Sequence, residues 1–523
     1  MNDFDLTVEP WVPVVMSSTE RRRLSLRDVL VNAHEIQEVS GPSPVIAAAL
    51  YRVLVAFAHR MVGRVDLRSW TTAWEFGKFD PGVVEGYLER WRPRLKLFDP
   101  ERPFMQAPGL PLESAQPLAR LAHDRQPTNN HEFLDHPHPD PVFRPAQAAL
   151  QLLAHQAFAL GGLATGRLPG EPTSLRAAPL AKAAVVVVKG DNLFRTLMLN
   201  LAPVAGFTSI SGMEDRAAWE RDTAAQGVER SVTGPVDLLT WQSRRVLLLP
   251  EGGDGGTVVR QVISKQGDDL PAGWKNWEVE PMVAYRAVKK AKAGADPWMA
   301  LGLRPDRMAW RDSNALFQAG LEDGAESLRP ATLTWLAALS EAGVLARHDR
   351  FRLDVFGLNS YQAKIEFWRT ERIPLPLAIV SDRDCLAEVR SGLAAAERAG
   401  DHLQKSMWRL ATLLICPNEG KAGALPADPG RVKLVAAGFG ATDEYWNRLE
   451  SGFVAFLDDL ASEEFEAASL RWRKCLRDTV RTAAYRVFNS LDSSARALKA
   501  MTDASRQFHG GLDRALSISK EAA

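Results

Sequence analysis

The chain has 523 residues, of which 46% are hydrophobic and 24% charged, a balance typical of soluble globular proteins and unlike that of disordered or fibrous ones. Lysine plus arginine and aspartate plus glutamate both total 64, so the formal net charge is zero, which is evidence against binding nucleic acid through a bulk positive field. The three cysteines, Cys385, Cys416 and Cys475, are odd in number and far apart, which argues against a disulfide framework or a CxxC zinc site.

The length exceeds what one hydrophobic core usually supports, so two domains are expected. No apolar run approaches the roughly 20 residues that cross a bilayer. The N-terminal sequence MNDFDLTVEPW has neither the basic start nor the apolar stretch of a signal peptide. We therefore expect a cytoplasmic protein without membrane contact.

The first three quarters of the sequence alternate strand-like runs with helical segments. Residues 11–15 predict a strand, and residues 44–61 predict a buried helix with proline in its first turn. The valine-rich residues 183–188 predict another strand. Residues 238–249 place apolar runs on both sides of residues 242–245, which is typical of a hairpin or a bent strand. This part is therefore predicted to be mixed α/β.

The sequence changes character at residues 373–376, where two prolines interrupt regular structure. We predict an α+β protein with a mixed α/β domain at residues 1–378 and an all-α domain at residues 379–523. Apolar residues at three-four spacing form four stripes in the second domain, which indicates a four-helix bundle. The stripes begin at Leu386, Trp446, Trp472 and Leu498. The fourth is predicted to comprise Leu498, Met501, Ser505, Phe508 and Leu512.

Several segments spread over the whole chain, taken in their order and spacing, resemble the CasA family. That family is the large subunit of the type I-E CRISPR Cascade complex. The segments are FDLTVEPWVPVV at 4–15, LSLRDVLVNAHEI at 24–36, RPFMQ at 102–106, TNNHEFLDH at 128–136, ALGGLATG at 159–166, LTWQSRRVLLLPE at 239–251 and FGLNSYQAKIEFWRTERIPLP at 356–376.

The resemblance implies a protein at one end of an assembly that carries a CRISPR RNA (crRNA). Such a protein recognises the protospacer-adjacent motif of a double-stranded DNA target from the minor groove and starts strand separation. It contacts the other Cascade subunits and docks a separate nuclease-helicase that acts in trans. It does not cut DNA itself, and no cofactor or metal is expected. The neutral charge fits this implication, because most phosphate contacts would belong to other subunits.

Gly161 and Gly162 stand where the resemblance implies a glycine loop that enters the minor groove. The groove is only about 6 Å wide, and glycine lets a backbone approach base edges where side chains would collide. The alternative is an ordinary turn after a helix that ends near Leu160. The phosphate-binding patterns GxGxxG and GxxxxGK[ST] are absent from this stretch.

Lys265, in VISKQGDD, matches the lysine that the resemblance implies for minor-groove contact. An ammonium group can donate to the N3 and O2 acceptors of bases, which suits degenerate reading. The alternatives are a solvated surface lysine, or a neighbouring residue in the same role.

Gln362 matches a glutamine wedge, a hairpin tip that the resemblance implies is pushed into the duplex beside the motif. Asn359, Ser360, Tyr361 and Gln362 predict a polar turn there. Inserting a wedge costs a few kcal/mol of stacking, which pairing of RNA with the released strand recovers. Tyr361 could stack on a displaced base, although a partly buried tyrosine near a turn is the plainer alternative.

Residues 128–145 are rich in proline, asparagine and histidine and predict a long exposed loop. The resemblance implies that this loop contacts the 5′ handle of the crRNA and a neighbouring subunit. The residues expected to take part are Asn129, Asn130, Phe133 and Asp135. Phe133 suits stacking on an unpaired base. Asp135 departs from the amide that the family carries at this place, and it can only accept hydrogen bonds.

Two alternative functions belong to other classes. His136, His138 and Asp140 form an HxHxD spacing similar to that of metallo-β-lactamase-fold hydrolases, and such ligands can hold zinc. Position 141 is proline, however, and the chain has only ten histidines to supply further ligands. The second alternative is a purely architectural scaffold, which would explain the zero net charge directly.

Overall fold

A computed structural model describes residues 3–124, 141–203, 214–271, 280–288, 296–318, 326–362, 364–418, 426–462 and 465–516. The chain divides into two compact units. The first comprises residues 1–345 and 351–373, and the second comprises residues 346–350 and 374–523.

The first unit mixes helices with short strands. Its helices are α1 Leu26–Val31, α2 Pro44–Val62, α3 Leu67–Phe76, α4 Pro81–Trp91, α5 Pro145–Phe158, α6 Leu193–Leu199, α7 Pro235–Leu239, α8 Ser313–Phe317 and α9 Ala331–Glu341. Its strands are β1 Val12–Met16, β2 Arg21–Leu24, β3 Ile36–Val39, β4 Gln116–Pro117, β5 Gly162–Leu163, β6 Ser174–Leu175, β7 Val185–Lys189, β8 Arg244–Gly253, β9 Gly256–Gln266, β10 Tyr285–Ala287, β11 Trp298–Ala300 and β12 Ser327–Leu328. Two long strands, β13 Arg350–Tyr361 and β14 Lys364–Pro376, run to its boundary.

The strands form several small sheets. Their orders are β2-β1-β3, β4-β9-β8, β5-β6, β11-β10-β12 and β14-β13-β7. A long antiparallel ladder joins β8 to β9, in which Arg245 faces Lys265. The predicted α+β class is confirmed, and so is the helical C-terminal region.

Helix α2 is the central apolar element of the first unit. Ser43 caps it by accepting a hydrogen bond from the Ile46 nitrogen, and Pro44 occupies its first turn. The expectation that no apolar run approaches the length of a membrane span was wrong, because α2 is long and apolar enough to cross a bilayer. Most of this helix is buried within the chain, and Arg52 in its middle forms a buried ion pair with Glu280.

Residues 238–249 form neither the predicted hairpin nor a bent strand. Pro235 begins helix α7, which ends at Leu239, and β8 begins only at Arg244. Leu238 and Trp241 are both buried and pack together with Val232. The error has a physical cause, because a short apolar run looks the same in a buried helix and in a buried strand.

The prolines at residues 373–376 do not stop regular structure. Strand β14 continues through Pro374 and ends at Pro376. The sheet order places β14 at an edge, where the missing N–H of proline costs no ladder hydrogen bond.

The second unit is a helical bundle. Its helices are α10 Ala378–Ser381, α11 Arg383–Ile415, α12 Pro429–Gly438, α13 Ala441–Ala461, α14 Phe465–Ser490 and α15 Ala495–Leu516. Helix α11 packs against α13, α14 and α15. The rings of Phe456 and Trp472 stack at 5.3 Å, and Trp472 Nε1 donates to the Gly392 carbonyl oxygen at 3.0 Å. The short α12 was not predicted from the sequence.

The stripe predicted for α15 is partly wrong. Its buried residues include Phe508 and Leu512 as predicted, but toward the N-terminus they are Ala497, Ala500 and Ala504. Leu498, which was expected in the core, is 47% exposed. The reason is that small alanines let α15 lie close to its neighbours, and alanine gives a weak signal in an apolar pattern.

Gly392 sits where α11 meets two aromatic rings, and we predict that Gly392→Ala destabilises the second unit by about 1–3 kcal/mol. A Cβ atom there would lie 2.6 Å from the Phe456 ring, which packing against Trp472 holds in place. Urea denaturation of the full chain measures the change. Gly510→Ala is the matched control, because nothing lies within 4 Å of that exposed position in α15. This control substitution should stabilise the second unit by roughly 0.5–1 kcal/mol. Equal stability of Gly392→Ala and the wild type would contradict the packing described.

Candidate nucleic-acid interface

The two glycines lie in a small hairpin that follows helix α5. Strand β5 pairs antiparallel with β6, and residues 161–175 are named the glycine hairpin. A side chain at Gly161 would be crowded, because a Cβ atom would lie 3.0 Å from the Ala177 nitrogen. Gly162 has a φ of 151°, a conformation that favours glycine, and it is exposed. The result is a thin, accessible stretch of backbone.

A buried arginine holds the base of the glycine hairpin. Arg244, at the start of β8, donates from Nη2 to the carbonyl oxygens of Leu160 at 3.0 Å and Arg176 at 2.6 Å. These two carbonyls flank the hairpin, so one guanidinium fixes both of its ends. Burial lowers the pKa of Arg244 to about 10, which still leaves it charged at neutral pH.

Two further contacts fix the second end of the hairpin. The Arg176 nitrogen donates to Gln266 Oε1 at 2.8 Å, and the Arg176 guanidinium pairs with Asp269. Gln156 Oε1 in turn accepts from the Arg244 nitrogen at 2.9 Å. Helix α5 and the β8–β9 ladder therefore form a polar, hydrogen-bonded platform beneath the glycine hairpin.

Lys265 is not a solvated surface lysine. Its ammonium donates to the Gly166 carbonyl oxygen at 2.7 Å and to Glu171 Oε2, and its side chain is only 7% exposed. Both partners belong to the glycine hairpin. The structure therefore brings Lys265 and the glycines into one site, and Lys265 is occupied by contacts within the chain.

Gln362 lies at the tip of the long hairpin formed by β13 and β14, as its place in the sequence predicts. Its φ of 50° is unusual for a residue other than glycine and is typical of a tight turn. Its Nε2 donates to Tyr361 Oη at 3.4 Å. Both side chains are exposed, Tyr361 by 64%.

The predicted polar turn is shorter than expected, because residues 359–361 belong to strand β13. Asn359 is half-buried and donates to the Leu303 carbonyl oxygen at 3.0 Å. Its amide therefore anchors the strand within the chain. Tyr361 and Gln362 remain the accessible side chains of this tip.

The strand register relates the tip to the glycine hairpin. Strand β7 begins at Val185, which pairs with Phe356 of β13, and β13 continues past this pair to Tyr361. The glycine hairpin joins the start of β7 through residues 176–184. The chain therefore leads from the glycine hairpin to the end of β7 past which β13 continues toward the tip.

Asn129, Asn130, Phe133 and Asp135 lie outside the described residues, as do His136, His138 and Asp140. The predictions of an RNA-contacting loop and of a zinc site are therefore not tested by the structure. In the part of the chain that is described, no group of three or more histidine, cysteine, aspartate and glutamate side chains could hold a metal ion.

Two histidines lie under the site. The rings of His123 and His155 are 6.1 Å apart and buried, and His155 Nε2 lies 3.0 Å from Ser264 Oγ. Burial lowers the pKa of His123 to about 4 and that of His155 well below its ordinary value, so both are neutral at neutral pH. They pack as part of the platform.

Sequence reasoning missed three residues of this site. Arg244 was noted only as one of residues 242–245, which separate two apolar runs, and Glu171 was not considered. Leu163, directly after the glycines, is 71% exposed, and apolar side chains of this kind are used as wedges by minor-groove proteins. Only tertiary contacts single out Arg244 and Glu171, whereas the position of Leu163 beside two glycines could have drawn notice.

Comparison with known proteins gives a consistent result. The family model described as CRISPR-associated protein Cse1 matches residues 5–483. A CRISPR-associated protein CasA/Cse1 of Thermus thermophilus is 31% identical, with 97% of each chain covered. The crystal structure of Cse1 from Acidimicrobium ferrooxidans is 26% identical, with a TM-score of 0.81 and 98% of each chain covered. A chain of a CRISPR RNA-guided surveillance complex, 24% identical, shares the fold with a TM-score of 0.73, covering 97% of this chain and 99% of that one.

We predict that Arg244→Lys loosens the glycine hairpin, because lysine cannot reach both flanking carbonyls as the guanidinium fork does. Backbone amides of residues 161–175 should exchange hydrogen roughly ten- to hundredfold faster, since a hydrogen bond from a charged group contributes about 1.5–3 kcal/mol. Hydrogen exchange followed by mass spectrometry measures this. Arg260→Lys, which alters an exposed ion pair with Glu251 on the same ladder, is the control and should change nothing in the hairpin. Unchanged exchange in Arg244→Lys would contradict the role of the clamp.

Proposed function

Since this chain belongs to the CRISPR-associated Cse1 family, we propose that it is the large, non-enzymatic subunit of an RNA-guided surveillance complex. In this proposal it recognises the protospacer-adjacent motif of double-stranded DNA through the minor groove and starts strand separation. The rest of the target sequence is read by pairing with the crRNA, so the protein needs contact with only a few base pairs.

The observation that carries the proposal is the hydrogen-bonded contact between Lys265 and the glycine hairpin. Lys265 donates to Gly166, which is 99 residues away in the sequence. A minor-groove reader needs a thin backbone that fits the groove and a donor for the N3 and O2 acceptors. The exposed Gly162 and the Lys265 ammonium supply these two elements on one platform, with the exposed Leu163 beside them.

The charge distribution supports a local mode of DNA contact. The chain has no net charge, and many of its arginines pair with carboxylates of the chain, as in Arg27 with Glu85 and Arg260 with Glu251. Such pairs leave little free positive field to attract phosphates. Affinity for target DNA would therefore depend on the other subunits and the crRNA, while this chain contributes selectivity.

The exposed tip at Tyr361 and Gln362 supports the proposed role in strand separation. A rigid two-stranded hairpin can carry a polar side chain into a base step, at a cost of a few kcal/mol in lost stacking. Pairing of the released strand with the crRNA compensates for that cost. The tip and the glycine hairpin belong to the same compact unit, and in this proposal both engage one duplex.

Contacts with partners are part of the proposal on the strength of the family alone. They comprise the crRNA 5′ handle at Asn129, Asn130, Phe133 and Asp135, the other Cascade subunits and a trans-acting nuclease-helicase. The shared fold with a chain of a surveillance complex supports the placement in such an assembly. An architectural scaffold without DNA contact would have no need for an exposed glycine backbone beside a lysine.

We predict that Gly162→Asp abolishes discrimination between correct and incorrect flanking motifs without preventing assembly. The substitution puts a carboxylate on the backbone that enters the groove, where the phosphates repel it. Binding of the reconstituted complex to duplexes that differ only in the flanking motif measures the effect. Gly252→Asp adds the same charge at an exposed position of β8 with nothing within 4 Å and should bind as the wild type does. Retained discrimination in Gly162→Asp would remove the glycine hairpin from the proposal.

We predict that Gln362→Ala slows R-loop formation on linear duplexes roughly tenfold, as the loss of about 1.4 kcal/mol would do. Targets that are already unwound should be much less affected, because they need no wedge. Gln362→Gly distinguishes the effect of losing the side chain from the effect of backbone strain, since glycine adopts the φ of 50° without strain. If the amide acts as the wedge, both variants slow R-loop formation on duplexes. Equal slowing of duplex and unwound targets, or normal rates in Gln362→Gly, would contradict the wedge.

A further inference from the structure

The ammonium of Lys265 is held by an anion of the same chain. Glu171 lies in the loop of the glycine hairpin and pairs with Lys265, whose other acceptor is the Gly166 carbonyl oxygen. With a side chain only 7% exposed, Lys265 cannot meet a DNA base while these contacts persist. Minor-groove contact therefore requires that the ammonium exchange Glu171 and Gly166 for base acceptors.

We propose that Glu171 competes with target DNA for the Lys265 ammonium. This inference rests on the proposed function of Lys265 in minor-groove contact. In the absence of DNA, Glu171 and the hairpin loop keep the lysine inside the chain. A duplex that fits the glycine hairpin displaces the carboxylate and takes over the ammonium.

The carboxylate of Glu171 is held by the hairpin loop itself. Its Oε2 accepts from the Leu168 nitrogen at 2.7 Å, and the Glu171 nitrogen donates back to the Leu168 carbonyl oxygen at 3.1 Å. The hydrogen bond from Lys265, followed by that from Leu168, holds the pKa of Glu171 below its ordinary value, so it is ionised at neutral pH. A shift of the loop would therefore move the carboxylate as a unit with residues 168–171.

The side-chain contacts that the loop makes with Gln116 and Arg120 are exposed. Gln116 Nε2 donates to the Thr165 carbonyl oxygen at 2.7 Å and Gln116 Oε1 accepts from Thr165 Oγ1 at 2.6 Å, while Arg120 Nη2 donates to the Leu163 carbonyl oxygen at 3.3 Å. Exposed hydrogen bonds exchange readily with water, so they hold a loop less firmly than the buried contacts at the hairpin base do. The Arg244 clamp thus fixes the base while the loop that carries Glu171 can open.

DNA itself favours the exchange. The phosphates on both sides of the minor groove repel the Glu171 carboxylate and attract the Lys265 ammonium. Arg245, which faces Lys265 across the β8–β9 ladder, also interacts electrostatically with Glu171 and provides a second cation at this place. The ion pair therefore imposes a free-energy cost that a duplex must overcome before it contacts the Lys265 ammonium.

The test is a double-mutant cycle in the reconstituted complex with Glu171→Gln and Lys265→Met. Glutamine retains an acceptor for the Leu168 nitrogen but loses the charge, and methionine retains the length of lysine without the ammonium. Affinity is measured for duplexes with correct and with incorrect flanking motifs. Glu251→Gln, at an exposed position of the same ladder, controls for removal of one negative charge.

We expect Glu171→Gln to raise the affinity for correct-motif duplexes about tenfold. The reason is that DNA no longer has to displace the partly buried, charge-assisted contact between Lys265 and Glu171. In the Lys265→Met background the same substitution should change affinity by less than about twofold, the size of a screened through-space effect. Glu251→Gln should match that small change. This pattern would establish that Glu171 acts through Lys265.

Two results would overturn the inference. If Lys265→Met weakens DNA binding but Glu171→Gln has no effect, or the same effect in both backgrounds, Glu171 does not compete for Lys265 and the proposed function is unharmed. If Lys265→Met leaves DNA binding unchanged, the minor-groove role of Lys265 fails, and the inference about Glu171 fails with it.

Discussion

The clamp that Arg244 makes on the glycine hairpin is the contact on which the rest of the site depends. Gly161 and Gly162 give a thin backbone, but a thin backbone without support would not hold one position against a duplex. A buried guanidinium that donates to the carbonyls of Leu160 and Arg176 supplies that support. Because a charged group can be buried only when hydrogen-bonded, the carbonyls and the guanidinium stabilise each other's placement.

The pairing of cationic side chains with carboxylates of the same chain accounts for the weak positive field of this neutral protein. Lys265 is paired with Glu171 inside the chain, so under the proposed function this cation beside the glycine hairpin is withheld from non-specific phosphates. A protein that inspects many short motifs benefits from weak non-specific binding, because each wrong site must be released. Under this account, neutrality and selectivity have the same origin in charges that are satisfied internally until a duplex fits.

The sequence predicts the fold class, the buried helix at residues 44–61 and the terminal bundle, because long apolar periodicities specify these elements. It misplaces local features, such as α7, where a short apolar run fits helix and strand equally. For the site, sequence and family resemblance lead to the glycines, Lys265 and the tip at Gln362. They do not lead to Arg244 or Glu171, since those roles arise from contacts between segments far apart in the chain, which no local pattern records.

The central claim is that small, backbone-led contacts of this chain read the flanking motif while the crRNA reads the remainder. The most direct measurement is the affinity of the surveillance complex, reconstituted with and without this chain, for duplexes that differ only in the flanking motif. The account predicts that complexes with the chain prefer the correct motif strongly and that complexes without it bind all motifs alike. The same motif preference in both complexes would contradict it.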